Sequence, residues 1–168
     1  MLEETTMSPS LTFIRDCQVG DLLRVKLNDT VEYAILGLAA HRNLQPLIAL
    51  TIDSPPFSIN LLEQGRIDGD FDTYAALRYG KWDITPHHQM PCQIGSGSLF
   101  NRPGVYVLVG TEPMLTVNVG PTVQYFGLTD FKLYGARGGQ KAAFEMWSMW
   151  HDALEPHQHS IVYNAANL

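Results

Sequence analysis

Cysteine is nearly absent from this 168-residue chain, with only Cys17 and Cys92, too few for a disulfide framework. Charge is scarce too: 17% of residues are charged, and eleven Lys and Arg stand against seventeen Asp and Glu, a formal net charge of -6. Tracking a phosphate backbone over a broad surface needs a basic excess, so nucleic acid is not an expected partner. No apolar run approaches the roughly 18 residues that span a bilayer, so no membrane partner is expected. The first six residues, Met1 to Thr6, are acidic and lack the basic-then-apolar order of a signal peptide. A cytoplasmic protein with two free thiols is the expectation that follows.

The chain also lacks the short motifs that announce catalysis. There is no HExxH, no CxxC, and no His-x-His with a spaced Glu. Gly95-Ser96-Gly97-Ser98 is not a nucleophile elbow, because neither serine has glycine two residues away on both sides. Cys92 pairs with His87 or His88 only on paper, since nothing in the sequence supplies the third, orienting group.

What is present is a β protein's punctuation. Ten Pro and fourteen Gly accompany 45% hydrophobic residues, enough for one sizeable core. Between Arg102 and Tyr134, short runs rich in Val, Tyr and Phe are cut by Gly, Pro and Thr: Val105–Val109, Met114–Val119, Thr122–Phe126 and Phe131–Tyr134. These read as consecutive antiparallel strands. Upstream, Leu11–Ile14 reads as a strand. In Leu22–Leu27, Leu23, Val25 and Leu27 alternate with Arg24 and Lys26, as in a strand with one face in water. The turn Asn28-Asp29-Thr30 leads into Val31–Ala40, apolar on both faces and therefore central, so the two runs form a hairpin. Leu47–Ile52, Ser58–Leu62 and Ser160–Tyr163 add strands, and Tyr74–Trp82 fits strand or helix. Asp83–Pro103 reads as a long ordered loop or as two short strands with wide turns.

One helix is predicted, over Gln140–Leu154. Phe144, Trp147, Trp150 and Leu154 recur at helical spacing, broadened by Ala143 and Met146, with Lys141, Glu145, Ser148 and Asp152 opposite. The expected fold is therefore mainly β, a β-rich α+β arrangement: an antiparallel barrel or sandwich of about seven to ten strands with one C-terminal amphipathic helix packed on the sheet. Residues 1–10 and 164–168 read as tails around a single domain of residues 11–163.

Three clusters are candidate sites. His87 and His88, with His157 and His159, offer neutral imidazoles that a divalent transition metal takes as ligands, although histidines in polar loops are ordinary surface residues. The run from Gly135 to Lys141 follows a predicted strand and opens the predicted helix. Free N–H groups there, with Arg137, Gly138, Gly139 and Lys141, would favour an anion; glycine at an entry turn explains the same residues without a ligand. Asp68, Asp70 and Asp72 alternate as cation ligands would. Thr73 and Tyr79 break the calcium-loop pattern, and Asp-Gly is an ordinary turn pair.

The first expectation for function is a non-catalytic module that binds a small molecule or a protein partner. The alternatives are a small His-ligated metal enzyme and a subunit that self-associates as a homo-oligomer through β edges or the Trp/Met-rich segment around Met146 and Met149.

Overall fold

The structure, a computed structural model, describes residues 9–27, 30–38, 46–53, 57–62, 75–87, 92–94, 98–135, 141–154 and 159–165. Fifteen strands lie within these residues, with two short 3-10 turns at Ile14–Asp16 and Ser98–Asn101. The first five are β1 (Ser10–Phe13), β2 (Leu22–Leu27), β3 (Thr30–Leu36), β4 (Leu47–Thr51) and β5 (Ser58–Leu62). Then follow β6 (Ala75–Arg78), β7 (Trp82–Pro86), β8 (Cys92–Ile94), β9 (Tyr106–Val109) and β10 (Glu112–Val119). The last are β11 (Thr122–Gly127), β12 (Leu133–Tyr134), β13 (Lys141–Phe144), β14 (Met146–His151) and β15 (Ile161–Asn164).

The expected hairpin of β2 and β3 forms, with Leu22 opposite Ile35 and Leu27 opposite Thr30. Strand β3 is central: it also pairs with β4, and Tyr33 through Leu36 are all buried. Both faces of this three-strand unit carry apolar side chains, so each needs a cover. Leu22, Tyr33, Ile35, Ile48 and Leu50 point into the main core. Leu23, Val25, Ala34, Leu36 and Leu47 meet a smaller cluster closed by Ile14, Cys17 and Ala76. Each of the Leu, Ile and Val side chains contributes about 1.5–3 kcal/mol by leaving water. Cys17 is a free thiol, and burial pushes its pKa up to about 11, which keeps it protonated and inert.

The predicted strand train between 102 and 134 is present as β9 to β12. Strand β10 is its axis, pairing along its length with β11 and through its first half with β9. Within the 83–103 region, the two-short-strand alternative is the one observed, as β7 and β8.

Two expectations are corrected. First, the helix does not form: Lys141–Phe144 is β13 and Met146–His151 is β14, while residue 140 lies outside the described residues. Strand β13 belongs to the large sheet, between β9 and β8, whereas β14 belongs to a three-stranded sheet between β15 and β7. The chain changes sheet across the single residue Glu145, whose carbonyl accepts a hydrogen bond from the Ala165 N–H at 2.8 Å. This corner shifts the two-residue period by one step. Phe144 and Trp147 therefore point inward three residues apart, which imitates a helical repeat. Beyond the corner, Trp147, Met149 and His151 are buried and alternate with Ser148 and Trp150.

Second, the described strands do not close into a barrel. The large sheet runs β1-β6-β2-β3-β4-β5-β10-β9-β13-β8, ending on β1 and β8. It branches at β10, which takes β9 and a single parallel bridge to β5 (Asn118 to Asn60) in addition to β11. The architecture is an open, mainly antiparallel sheet. Its core is shared with the small second sheet through Ile84, Trp147, Met149 and Tyr163.

Candidate functional site

Strand β7 ends the small sheet, and opposite it the β9–β10 hairpin and the turn after β11 leave a cleft of about 350 Å³. Trp82, Asp83 and Ile84 come from β7, Tyr106 from β9 and Pro113 from β10, while Leu128, Thr129 and Phe131 close the far side. The volume is at the small end of ligand sites, which run from about 300 to 1,000 Å³. Trp82, Leu128 and Phe131 pack against the main core and are only partly buried. Asp83 borders the cleft through β7, but the strand's alternation sends its side chain to the outer face, opposite Trp150.

The walls are held firmly. The Trp82 indole N–H donates to the Gly20 carbonyl at 2.9 Å, which sets the plane of the ring. Phe131 has φ of 58°, a left-handed conformation that costs a bulky residue of order 1–3 kcal/mol. It is kept there from both sides. Its N–H donates to the Gly127 carbonyl at 3.0 Å, and its carbonyl accepts from the Leu38 N–H at 2.7 Å. The Phe131 ring packs 6.1 Å from both Trp82 and Phe126. It also lies directly over Gly20, where an added Cβ would come within 2.5 Å of it. Glycine at position 20, at φ of +91°, is therefore what lets this ring reach the cleft.

A polar cluster is buried beside β7, where His151 is the cross-strand partner of Trp82. The Tyr33 hydroxyl and His151 Nε2 are 2.9 Å apart, across 118 residues of sequence. The Ala153 N–H donates to His151 Nδ1 at 3.3 Å. That bond leaves the proton on Nε2, so a neutral His151 donates to the Tyr33 oxygen. The Tyr79 ring lies 4.3 Å from the imidazole, and the Arg24 guanidinium sits 4.0 Å over the Tyr33 ring while pairing with Asp53. Burial pushes the Tyr33 phenol up to about 12 and lowers His151 below its ordinary value of 6.5. For His151, the charge of Arg24 acts in the same direction, while Asp152 and Asp53 oppose it.

This cluster makes the protein acid-sensitive. Between the lowered folded pKa of His151 and 6.5 the unfolded chain binds more protons, so stability rises with pH across that window. The contribution is complete above 6.5 and falls away as the pH drops through the window. Urea midpoints compared between about pH 7.5 and 5 should fall for the native chain. The fall should be smaller in His151→Gln, and equal falls in the two proteins would remove His151 as the cause.

The residues singled out in the sequence are not gathered in either place. His87 follows β7 on the outer face of the small sheet and hydrogen-bonds Ser148 Oγ. His159 is exposed, two residues before β15, toward the opposite end of β14. His88 and His157 lie outside the described residues, as do Asp68, Asp70 and Asp72. Among the described residues no three His, Cys, Asp or Glu side chains come together as metal ligands. Lys141 opens β13, not a helix, so no helix dipole acts at it. Its ammonium lies 5.3 Å from the Tyr125 ring and 5.8 Å from that of Phe100. Arg137, Gly138 and Gly139 are outside the described residues.

Neither site had a compact signal in the sequence. Pro113 and Phe131 read as ordinary strand or turn residues, and Tyr33 and His151 become neighbours only through packing. Compared with known proteins, the chain matches no family model, and no curated protein and no solved structure is significantly similar to it. No helix among the described residues is long and apolar enough to cross a membrane.

Proposed function

We propose that the protein is a binding module whose ligand is a small molecule held in the cleft between β7 and the turn after β11. The observation that carries this reading is Phe131. A non-glycine residue held at positive φ, with its half-buried ring at the margin of the core beside a cleft, is strain held in place by its surroundings. The rigid indole of Trp82, packed against Phe131, gives the ligand a second preformed wall, which lowers the ordering cost of binding. The buried Tyr33–His151 pair supports the scaffold beneath this wall, since His151 sits opposite Trp82 in the β14–β7 register.

A screen of small metabolites by protein NMR tests the reading. Bound compounds should shift resonances of Trp82, Ile84, Tyr106 and Leu128 together, and leave Trp150 and Val162 on the outer face of the small sheet unmoved. A screen with no binders, or with binders confined to other surfaces, would overturn it.

Self-association has one observation in its favour. Trp150 and Val162, 41% and 52% exposed, lie on that outer face. Sedimentation at high concentration decides it: Trp150→Ser should abolish any dimer that uses this face and leave cleft binding intact.

A further inference from the structure

We propose that His151 is an acid-released latch: while neutral, it holds the turn 151–154 closed against the start of β7, and a proton at Nδ1 lets that turn open while the sheets stay folded. The latch is independent of whether the cleft binds a ligand.

Three N–H groups of the turn are bonded: Asp152 to the Lys81 carbonyl at 3.0 Å, Ala153 to His151 Nδ1 at 3.3 Å, and Leu154 to the His151 carbonyl at 3.1 Å. In return the Lys81 N–H donates to Asp152 Oδ2 at 3.0 Å, which ties the turn to the residue before Trp82. Backbone carbonyls keep their lone pairs at any ordinary pH, but an imidazole nitrogen does not. Protonated Nδ1 is a donor, so two N–H groups would face each other where a bond stood.

The ring has no way to turn aside. It is 3% exposed, its Nε2 is 2.9 Å from the Tyr33 hydroxyl, and the Tyr79 ring packs 4.3 Å away. A flipped ring still presents a donor to Ala153, because both nitrogens of an imidazolium carry hydrogen. Relief comes from the turn instead, where Ala153 is exposed.

The groups around the ring decide when this happens. Burial is the largest effect against the cation, and Arg24 on β2 adds to it. Asp152 on the turn and Asp53 after β4 favour the cation. The Tyr33 and Tyr79 phenols, both raised by burial, stay neutral. Asp152 Oδ1 is buried without a hydrogen-bond partner among the described residues, so the turn also holds an acceptor with no bond to lose. In the open turn the ring regains water, and its pKa returns toward 6.5. Opening therefore becomes easier as the pH falls below 6.5, and the gain levels off below the lowered value of the closed form.

Native-state amide hydrogen exchange, compared between about pH 7 and 5 and corrected for the intrinsic rate at each pH, reads the latch. Protection at Asp152, Ala153 and Leu154 should fall roughly tenfold over that range. It should hardly respond to sub-denaturing urea, because a local opening exposes little surface. Gly104 and Thr116, whose N–H groups bond the Thr116 and Val105 carbonyls, should stay better protected at both pH values and show the full urea slope of global unfolding. The ring nitrogen shifts of His151 should titrate with the same midpoint as the turn amides. In His151→Asn, whose side-chain oxygen can accept from Ala153 without titrating, the fall should vanish.

A His151 that stays neutral at the lower pH, or turn amides indifferent to its titration, would overturn the latch. So would turn amides that exchange only together with Gly104 and Thr116 at the same urea slope, since the proton would then act on the whole fold. These three outcomes are read on the native chain and stand even if the variant fails to fold. An equal fall in a folded His151→Asn would assign the change to another group.

Discussion

Trp147→Ala should destabilise the protein by about 3–5 kcal/mol, while Trp150→Ala should cost less than about 1 kcal/mol. The two residues are three apart. On a helix they would share a face, and truncation of either would open the same core. In β14 they point to opposite sides of the small sheet: Trp147 is fully buried, and Trp150 is 41% exposed. Trp147 stacks on Tyr163 with ring centroids 4.8 Å apart, and its indole N–H donates to the Gly104 carbonyl at 2.8 Å. Alanine therefore leaves a cavity of ring size and a buried carbonyl without its donor. Trp147→Phe separates these contributions, because it keeps most of the ring and loses the hydrogen bond; an intermediate cost of about 1–3 kcal/mol is expected. Urea unfolding of the three variants measures this directly. Equal costs at positions 147 and 150 would contradict the strand assignment of this segment.

The same pair of tryptophans explains what was legible in the sequence. The strands between 102 and 134 could be read because their information is local: turn residues mark each end, and hydrogen-bonded partners are neighbours in the chain, as β10 and β11 are. The β2–β3 hairpin is legible for the same reason. Glu145 defeats a local reading. A strand that bends from one sheet into another keeps its two-residue period on each side of the corner but changes phase across it. Aromatics at 144, 147 and 150 then resemble a helical stripe, although Trp150 faces out.

Sheet order is non-local in another sense. Strand β6 inserts between β1 and β2, and nothing in the residues of Ala75–Arg78 selects those partners. The candidate site was the least visible part. Its walls come from positions 82–84, 106, 113, 128, 129 and 131, far apart in the chain, and only the meeting of the two sheets brings them around one space. The histidines drew attention because imidazole is chemically versatile. His151, which the fold does place in a polar cluster, was hidden among them by its apparent position on a helix end.

Gly104→Ala is the second large effect, at about 2–4 kcal/mol. Part of the cost is conformational: Gly104 has φ of +78°, where a Cβ is worth roughly 1–2 kcal/mol of strain. The rest is overpacking, of the usual 1–3 kcal/mol, because the new methyl would meet the Tyr163 hydroxyl and lie 2.7 Å from ring carbon Cε1. The backbone cannot yield. The Gly104 N–H donates to the Thr116 carbonyl at 2.8 Å, its carbonyl accepts from Trp147, and Thr116 Oγ1 accepts from the neighbouring Val105 N–H at 2.8 Å. Any relief must come from Tyr163. Its hydroxyl is buried with no side-chain or backbone hydrogen-bond partner among the described residues, so Tyr163→Phe alone should change stability by no more than about 0.5 kcal/mol, or raise it slightly. In the Gly104→Ala background the same change removes the atom nearest the new methyl. The double variant should then recover at least about 0.5 kcal/mol relative to the sum of the single changes, while the strain from φ remains. Additivity within about 0.3 kcal/mol in this cycle would mean that Tyr163 is not what excludes a side chain at position 104, and that the packing of Trp147, Gly104 and Tyr163 differs from the one described.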